Sequence, residues 1–408
     1  MLHALLKRMI RVGDLTVRLP NGRVETYGDG TGPKVVCTVT ARGMRQIAAN
    51  PATGLGEAYM DGGVSLQTGD IWDLLALGGR NKGGSGPRSF IKQARISAER
   101  RLAQWNHRAV SRRNVAHHYD LSYDLYSRFL DRDMQYSCAY FARPGMTLEE
   151  AQEAKKLHIA SKLRLEPGMK VLDIGCGWGG LGLYLGANYD VEVLGVTLSQ
   201  EQLAVAQRRA REMGLENRVR FSLTDFRDVQ GPFDRVVSVG MFEHVGAPLF
   251  LEYFQHVKRL MTDDGVAVIH SIGRRTQPGT TNGWIRKYIF PGGYIPALSE
   301  TMAAVEQTGL WPTDIEILRL HYAETLKQWR LRFWEVREEI ARIYDERFCR
   351  MWEFYLACSE YGFIYGDNFN FQLQLTKAVD ALPITRDYMI DDERSGPIAA
   401  RTQIQAAE

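Results

Sequence analysis

The chain has 408 residues, a formal net charge of +3 and 45% apolar residues. That length suits one large domain plus a smaller one, and the near balance of charge excludes a surface that is basic throughout, so an anionic partner must be met by a local patch. Cys37, Cys138, Cys176, Cys349 and Cys358 are scattered with no C-x-x-C pair, which argues against a metal site or a disulfide framework and for a reducing compartment.

Met1 to Arg8 lacks the long apolar stretch of a secretion signal, and no apolar run reaches the roughly 18 residues that a spanning helix needs. A cytoplasmic protein is expected, peripheral on the inner face of the cytoplasmic membrane if it touches a membrane at all. Residues 13–40 alternate apolar and polar positions, with Leu15, Val17 and Leu19, then Pro20-Asn21-Gly22, then Val35, Val36 and Val39. This pattern predicts a small antiparallel sheet. Residues 41–78 have helical spacing interrupted by Gly54 to Gly62, which reads as a loop. The glycine-rich run from Gly78 to Pro87 has the composition of a flexible connector, so a small α+β domain is expected over residues 1–80.

Residues 81–114 form the most basic segment. Arg88, Lys92, Arg95, Arg100, Arg101, Arg108, Arg112 and Arg113 face Glu99 alone, while Phe90, Ile91, Ile96, Leu102 and Trp105 recur at roughly helical intervals. Two readings stay open: a basic amphipathic helix on an anionic membrane surface, or a solvated helix packing its apolar stripe on the main domain. Residues 117–141 then interleave aromatic and polar groups, which reads as a helical cap closing over a pocket. Thr147-Leu148-Glu149-Glu150 is an N-cap with acids in the first turn, leading a helix through Lys162.

From Val171 strand and helix alternate, with further strands expected over 191–197, 219–223, 234–240 and 266–272. Helices between strands imply right-handed crossovers and an open parallel sheet covered on both faces. An α/β catalytic domain is therefore expected over 115–395, with a polar tail over 396–408. Ligands of such sheets sit beyond the carboxyl ends of the strands. That rule makes Asp173, Thr197, Asp225, Met241 to Glu243, and His270 site candidates.

The first strand carries the most informative turn, Val171-Leu172-Asp173-Ile174-Gly175-Cys176-Gly177-Trp178-Gly179-Gly180. An apolar β-branched run ends in a carboxylate and then in glycines at a helix start, the arrangement that brings backbone close to a nucleotide-like ligand. The spacing departs from the dinucleotide fingerprint G-x-G-x-x-G, and no Gly-Lys-Ser/Thr follows, so a P-loop is excluded. What remains resembles motif I of S-adenosylmethionine (SAM) dependent methyltransferases.

Several separate stretches in one order carry a wider resemblance. They are His118 to Ser122, Tyr136-Ser137-Cys138-Ala139-Tyr140-Phe141, the Asp173 to Gly180 turn, Gly195-Val196-Thr197-Leu198-Ser199 with Gln202, Asp234 to Gly246, His270-Ser271-Ile272-Gly273, and Ile289 to Gly293. Over residues 115 to about 360 the chain resembles the cyclopropane fatty acid synthase family, which includes the mycolic acid cyclopropane synthases. Gly56-Glu57-Ala58-Tyr59-Met60-Asp61-Gly62 is similar to the longer bacterial members that act on intact phospholipids. The fold this implies is a class I SAM-methyltransferase sheet of Rossmann type with a helical cap, plus the smaller N-terminal domain, where lipid and dimer contacts are expected.

The activity the resemblance implies is a methylene transfer from SAM to a cis double bond of an acyl chain, with bound bicarbonate as the base. The implied partners are a phospholipid with unsaturated chains, an anionic membrane surface and a second copy of the chain, and no nucleic acid. An isolated alkene is a poor nucleophile, so the site must align it with the sulfonium and exclude water. Tyr119, Tyr123, Tyr136, Tyr140, Phe141, Trp284, Tyr288 and Phe290 are available to line a dry cavity. By resemblance Cys138, Glu243, His270 and Tyr322 cradle the bicarbonate, with the Ile272 backbone adding a donor. His and Tyr can donate to an anion, and Glu243 can orient it and carry its proton away. His244 reads as structural. Cys358 matches a family cysteine and joins the catalytic candidates, although methyl transfer from SAM needs no covalent enzyme intermediate, so a buried helix cysteine is expected.

For the cofactor, the resemblance puts Tyr119, Tyr136 and Ser137 at one end, Tyr136 and Ser137 meeting its carboxylate. Asp173, Gly175, Gly177 and Gly179 would meet the methionine part, Thr197 and Gln202 the ribose, and Asp225 and Phe226 the adenine. The rivals are transfer that stops short of ring closure, giving methyl-branched or hydroxylated chains, methylation of some other lipid, and a catalytically silent SAM-binding protein at a membrane.

Overall fold

The computed structural model describes residues 2–50, 52–82 and 123–399. Nearly all of the basic segment, Tyr119 and most of the polar tail lie outside the described residues. Compactness divides the chain into two units: one from residues 1–97, 281–291 and 323–368, the other from 98–280, 292–322 and 369–408. This division differs from the contiguous domains expected over 1–80 and 115–395, because 281–291 and 323–368 cluster with the N-terminal residues. Sequence position alone gives no sign of it: helical patterns at 321–364 read the same whichever unit they pack in.

In the first unit β1 (Asp14–Arg18), β2 (Val24–Tyr27), β3 (Lys34–Val39) and β4 (Val64–Thr68) form a sheet in the order β2-β1-β3-β4. β1 and β2 pair antiparallel, as the Pro20 to Gly22 turn predicts, but β1 and β3 run parallel, with Leu15 opposite Val35. The expected all-antiparallel sheet is thus corrected to a mixed one. β2 itself is part of the crossover that a parallel pair needs, and Gly28, Gly30 and Gly32, all at positive φ, bring the chain back. One face of the sheet buries Leu15, Val17, Val35, Cys37 and Val39 against Leu77.

The stretch read as a loop at 54–62 is instead a helix, Gly54–Met60, followed by β4. Its glycines serve close packing. A Cβ on Gly56 would lie 2.5 Å from Trp284 Nε1, and one on Gly54 would lie 2.2 Å from the Gln46 carbonyl oxygen.

The second unit holds seven strands: β5 (Lys170–Ile174), β6 (Glu192–Thr197), β7 (Val219–Leu223), β8 (Phe233–Val239), β9 (Met261–Arg274), β10 (Trp311–Leu318) and β11 (Asn368–Thr376). Their order is β10-β11-β9-β8-β5-β6-β7, and the run from β9 to β7 is parallel throughout. Alternate residues feed opposite faces. Leu172, Val236 and Ile269 join one core and Val171, Val237 and Val268 the other, as a period of two on a doubly covered sheet requires. The antiparallel pair β10–β11 was not legible, since its burial alternates with water-facing Trp311, Ile315 and Ile317. The helix Leu148–Leu163 begins on a capping box in which Thr147 Oγ1 accepts from the Glu150 N–H at 3.2 Å.

Candidate active site

β5 ends at Ile174, and the chain reaches the helix Gly180–Tyr189 through Gly175, Gly177 and Gly179, at φ of +80°, +53° and +85°. L-residues with a Cβ avoid that region, and a Cβ on Gly175 would also press within 2.9 Å of the Met241 side chain. Above this turn opens a cleft of about 1430 Å³, its mouth included. Tyr136, Ser137, Asp173, Gly175, Gly177, Thr197, Gln202, Asp225 and Phe226 all line it. Gly179 does not: it shapes the turn from behind, against Ala206 and Phe221.

The cleft's polar groups are fixed from below. Lys155 is fully buried; its Nζ lies 2.9 Å from Ser137 Oγ and also bonds Gln135 Oε1. Burial pulls this ammonium down to about 8, against the pull of Asp131 and Asp133. Gln152 Nε2 donates to the carbonyl of Ser137 at 3.0 Å. Asp173 is buried, and its Oδ2 has no hydrogen-bond partner. Burial pushes its carboxyl up to about 7, opposed by the charge of Lys155. A buried acceptor left unmet costs free energy unless a ligand meets it. The open glycine backbone beside this oxygen therefore fits the ammonium-bearing end of SAM.

At the end of β6, Thr197 Oγ1 donates to Gln202 Oε1 at 2.8 Å, which turns the amide NH2 of Gln202 away from Thr197. Asp225 is gripped by Arg227, with Nε to Oδ1 at 2.8 Å and Nη2 to Oδ2 at 2.6 Å. Phe226 meets Tyr253 edge-on at 5.5 Å. Arg227, Met241, His244 and Tyr253 line the cleft as well. Tyr253 comes from the helix Phe250–Leu260, and no spacing in the sequence marks it. His244, read as structural, faces the cleft instead, because the 3-10 turn Phe242–His244 directs neighbouring side chains to different sides. Burial pushes its imidazole down to about 4.

That turn also sets Glu243. Its Oε1 accepts from the Ile272 N–H at 2.6 Å, while Oε2 is buried without a partner. Burial pushes this carboxyl up to about 7, with the Ile272 N–H opposing. The backbone donor expected to serve an anion directly is thus already held by Glu243. His270 is buried two residues earlier on β9; its Nδ1 lies 3.1 Å from Gln372 Nε2 and its Nε2 3.2 Å from Asn370 Nδ2. Burial pushes this ring down to about 3.

Neither Glu243 nor His270 lines the cleft itself, and the remaining candidates are spread more widely. Cys138 is buried in the segment after Ser137, its Sγ 3.3 Å from the Ala139 carbonyl oxygen. Tyr322 is buried at the start of the helix His321–Glu335. Cys358 is half-buried on the helix Glu346–Ile364 of the first unit, and burial pushes its thiol up to about 11. A thiol held that high has little thiolate and is a poor nucleophile. The rings expected around the substrate divide. Tyr136 lines the cleft and Tyr140 stacks on His158 at 4.0 Å, whereas Trp284, Tyr288 and Phe290 belong to the first unit, Trp284 against Phe354 at 4.6 Å.

A parallel sheet with a glycine turn over a buried acid, and a cleft at its strand ends, is the architecture of a class I SAM-dependent methyltransferase. The mycolic acid cyclopropane synthase CmaA1, solved with S-adenosylhomocysteine and CTAB, matches at TM-score 0.62 and 33% identity, over 65% of this chain and 97% of that one. The cyclopropane-fatty-acyl-phospholipid synthase of Escherichia coli K12 is 40% identical over 81% of this chain and 85% of its own. The tuberculostearic acid methyltransferase UfaA1 of Mycobacterium tuberculosis is 39% identical over 79% of this chain and 78% of its own. Residues 106–373 match the model of the mycolic acid cyclopropane synthetase family, and the chain belongs to that family. Residues 1–87 match a domain of unknown function.

Proposed function

We propose that this enzyme is a cyclopropane-fatty-acyl-phospholipid synthase, converting a cis double bond of an unsaturated phospholipid chain into a cyclopropane ring. SAM supplies the methyl group on a sulfonium, and bicarbonate supplies a base of modest strength. One alkene carbon takes the methyl, the neighbouring carbon becomes a cation, a proton leaves the new methyl, and the ring closes. Asp173, Ser137 and the glycine turn bind and orient the donor. Glu243, with Cys138, His270 and Tyr322, holds the base and carries its proton away.

The observation that carries this reading is the Glu243 carboxyl: buried, anchored by one oxygen, and unpartnered at the other. Such a group invites a ligand that can share a proton with it. The enzyme works as a peripheral protein on the inner face of the cytoplasmic membrane. The basic residues between Arg88 and Arg113 meet anionic headgroups there, and two copies of the chain share one surface. Among the described residues no helix is long and apolar enough to cross a membrane.

The similarity to UfaA1 supports a second reading, in which the methylated cation sheds a proton to leave a branched, still unsaturated chain instead of closing to a ring. Lipid analysis decides between them in a host that lacks cyclopropane lipids. Expression of the native chain is expected to give acyl chains that gain one CH2 and keep the ring through hydrogenation conditions that saturate alkenes. Branched or unchanged chains would overturn ring formation, and an undiminished yield from Glu243→Gln would remove Glu243 from the mechanism.

A further inference from the structure

We propose that Lys162 and Gln372 are positioning residues that hold the buried His270 imidazole as its Nε2–H tautomer, with that proton turned toward Asn370, so that His270 is not the base of the reaction. The inference deepens the reading above and rests on His270 belonging to that site.

Donors and acceptors fix the arrangement around His270. Lys162 is buried at the end of the helix Leu148–Leu163, and its Nζ lies 2.6 Å from Gln372 Oε1. An ammonium has three donors and no acceptor, so the carbonyl end of the Gln372 amide must face Lys162. The NH2 end then faces His270 Nδ1, at 3.1 Å. Turning this amide over would set two donors against each other at Lys162, where both side chains are buried.

Nδ1 of His270 is therefore an acceptor, and the single proton of a neutral ring sits on Nε2. That nitrogen faces the Asn370 amide at 3.2 Å. Asn370 Oδ1 is buried without a partner, and half a turn of this amide lets Oδ1 accept from Nε2–H.

The frame behind this is stiff. Lys162 also pairs with Glu316, whose Oε2 lies 2.6 Å from His158 Nε2, so its charge is held by a second partner. Gln374, two residues along β11, donates to the Lys162 backbone carbonyl at 2.6 Å. β11 thus grips one lysine by side chain and backbone, and Gln372 has a single orientation left. The consequence for the reaction is a division of labour. His270 cannot take the proton, since its one lone pair is occupied by Gln372, so the base must be another group.

The test uses the full-length enzyme labelled with 15N-histidine, with His270 assigned by loss of its signals in His270→Asn. Two-bond 15N–1H correlation is expected to report Nε2–H for His270 in the native chain. Gln372→Glu should invert it, since a carboxylate can accept from both Lys162 and Nδ1–H. Turnover should then fall roughly a hundredfold or more, the scale on which a wrong tautomer acts, with S-adenosylhomocysteine binding retained. Lys162→Met, which frees the Gln372 amide, should give a mixture of tautomers. An Nδ1–H signal in the native chain, or an unchanged tautomer in folded Gln372→Glu, overturns the inference. An inverted tautomer with undiminished turnover overturns the role of His270 in the reaction, while ring formation is judged separately from the native chain's lipid product.

Discussion

Two pairs of buried carboxylates, one pair in each unit, are treated in opposite ways. In the first, Glu353 accepts from the Tyr59 hydroxyl at 2.7 Å and from Arg337, and Glu360 accepts from Arg330 Nε at 2.8 Å. In the second, Asp173 Oδ2 and Glu243 Oε2 are buried with no partner. Satisfied groups hold a fold together, whereas unsatisfied ones cost stability and persist where a ligand completes them. The contrast assigns the first pair to architecture and the second to chemistry.

The largest effect that would sharpen this contrast is expected from Glu243→Gln. Turnover should fall by roughly 10²- to 10⁴-fold, the usual span for losing a proton-transfer group, with S-adenosylhomocysteine binding intact by calorimetry. Stability should move the other way. The folded pKa, about 7, lies above the ordinary 4.5, so this carboxyl's share of stability is fully present below pH 4.5 and lost as pH rises to 7. At pH 8 the glutamine variant should therefore be more stable by up to about 3 kcal/mol, and the gain should vanish near pH 4.5 in urea unfolding.

Glu353→Gln should do the reverse. It weakens a paired group, and stability should drop by about 3 kcal/mol, the lower end of the usual range because Arg337 keeps some contact with water. Turnover measured well below the melting temperature should change little; a large loss there would break the contrast. Asp173→Asn should weaken S-adenosylhomocysteine binding about tenfold, as the loss of one charge-assisted hydrogen bond does. The smallest effect is expected at Cys358→Ala, where turnover should stay within about twofold because so little thiolate exists to lose.

Much of the second unit can be read directly from the chain. The run Val171 to Ile174, the three glycines that must adopt positive φ, and the apolar strands at 191–197, 219–223 and 234–240 are local signals, each complete within ten residues, and the folded protein has them where the spacing puts them. The candidate cleft was legible for the same reason: strand ends in a parallel sheet lie on one edge, so Asp173, Thr197 and Asp225 converge by topology alone. The first unit was less legible. Its parallel β1–β3 pair and its helix at 54–60 depend on partners far away in the chain, among them Trp284 against Gly56.

By itself, then, the amino-acid order determined the sheet, the glycine turn, the edge on which ligands gather and the family. Tertiary structure alone decided which buried groups are paired, that His244 and Tyr253 face the cleft, that Ile272 is held by Glu243, and that Gln372 and Lys162 stand behind His270. The physical reason is range. Backbone conformation and side-chain periodicity are set by near neighbours, whereas a hydrogen bond in the interior joins residues as far as 294 positions apart, as Tyr59 and Glu353 are, and no local pattern encodes which donor will meet which acceptor.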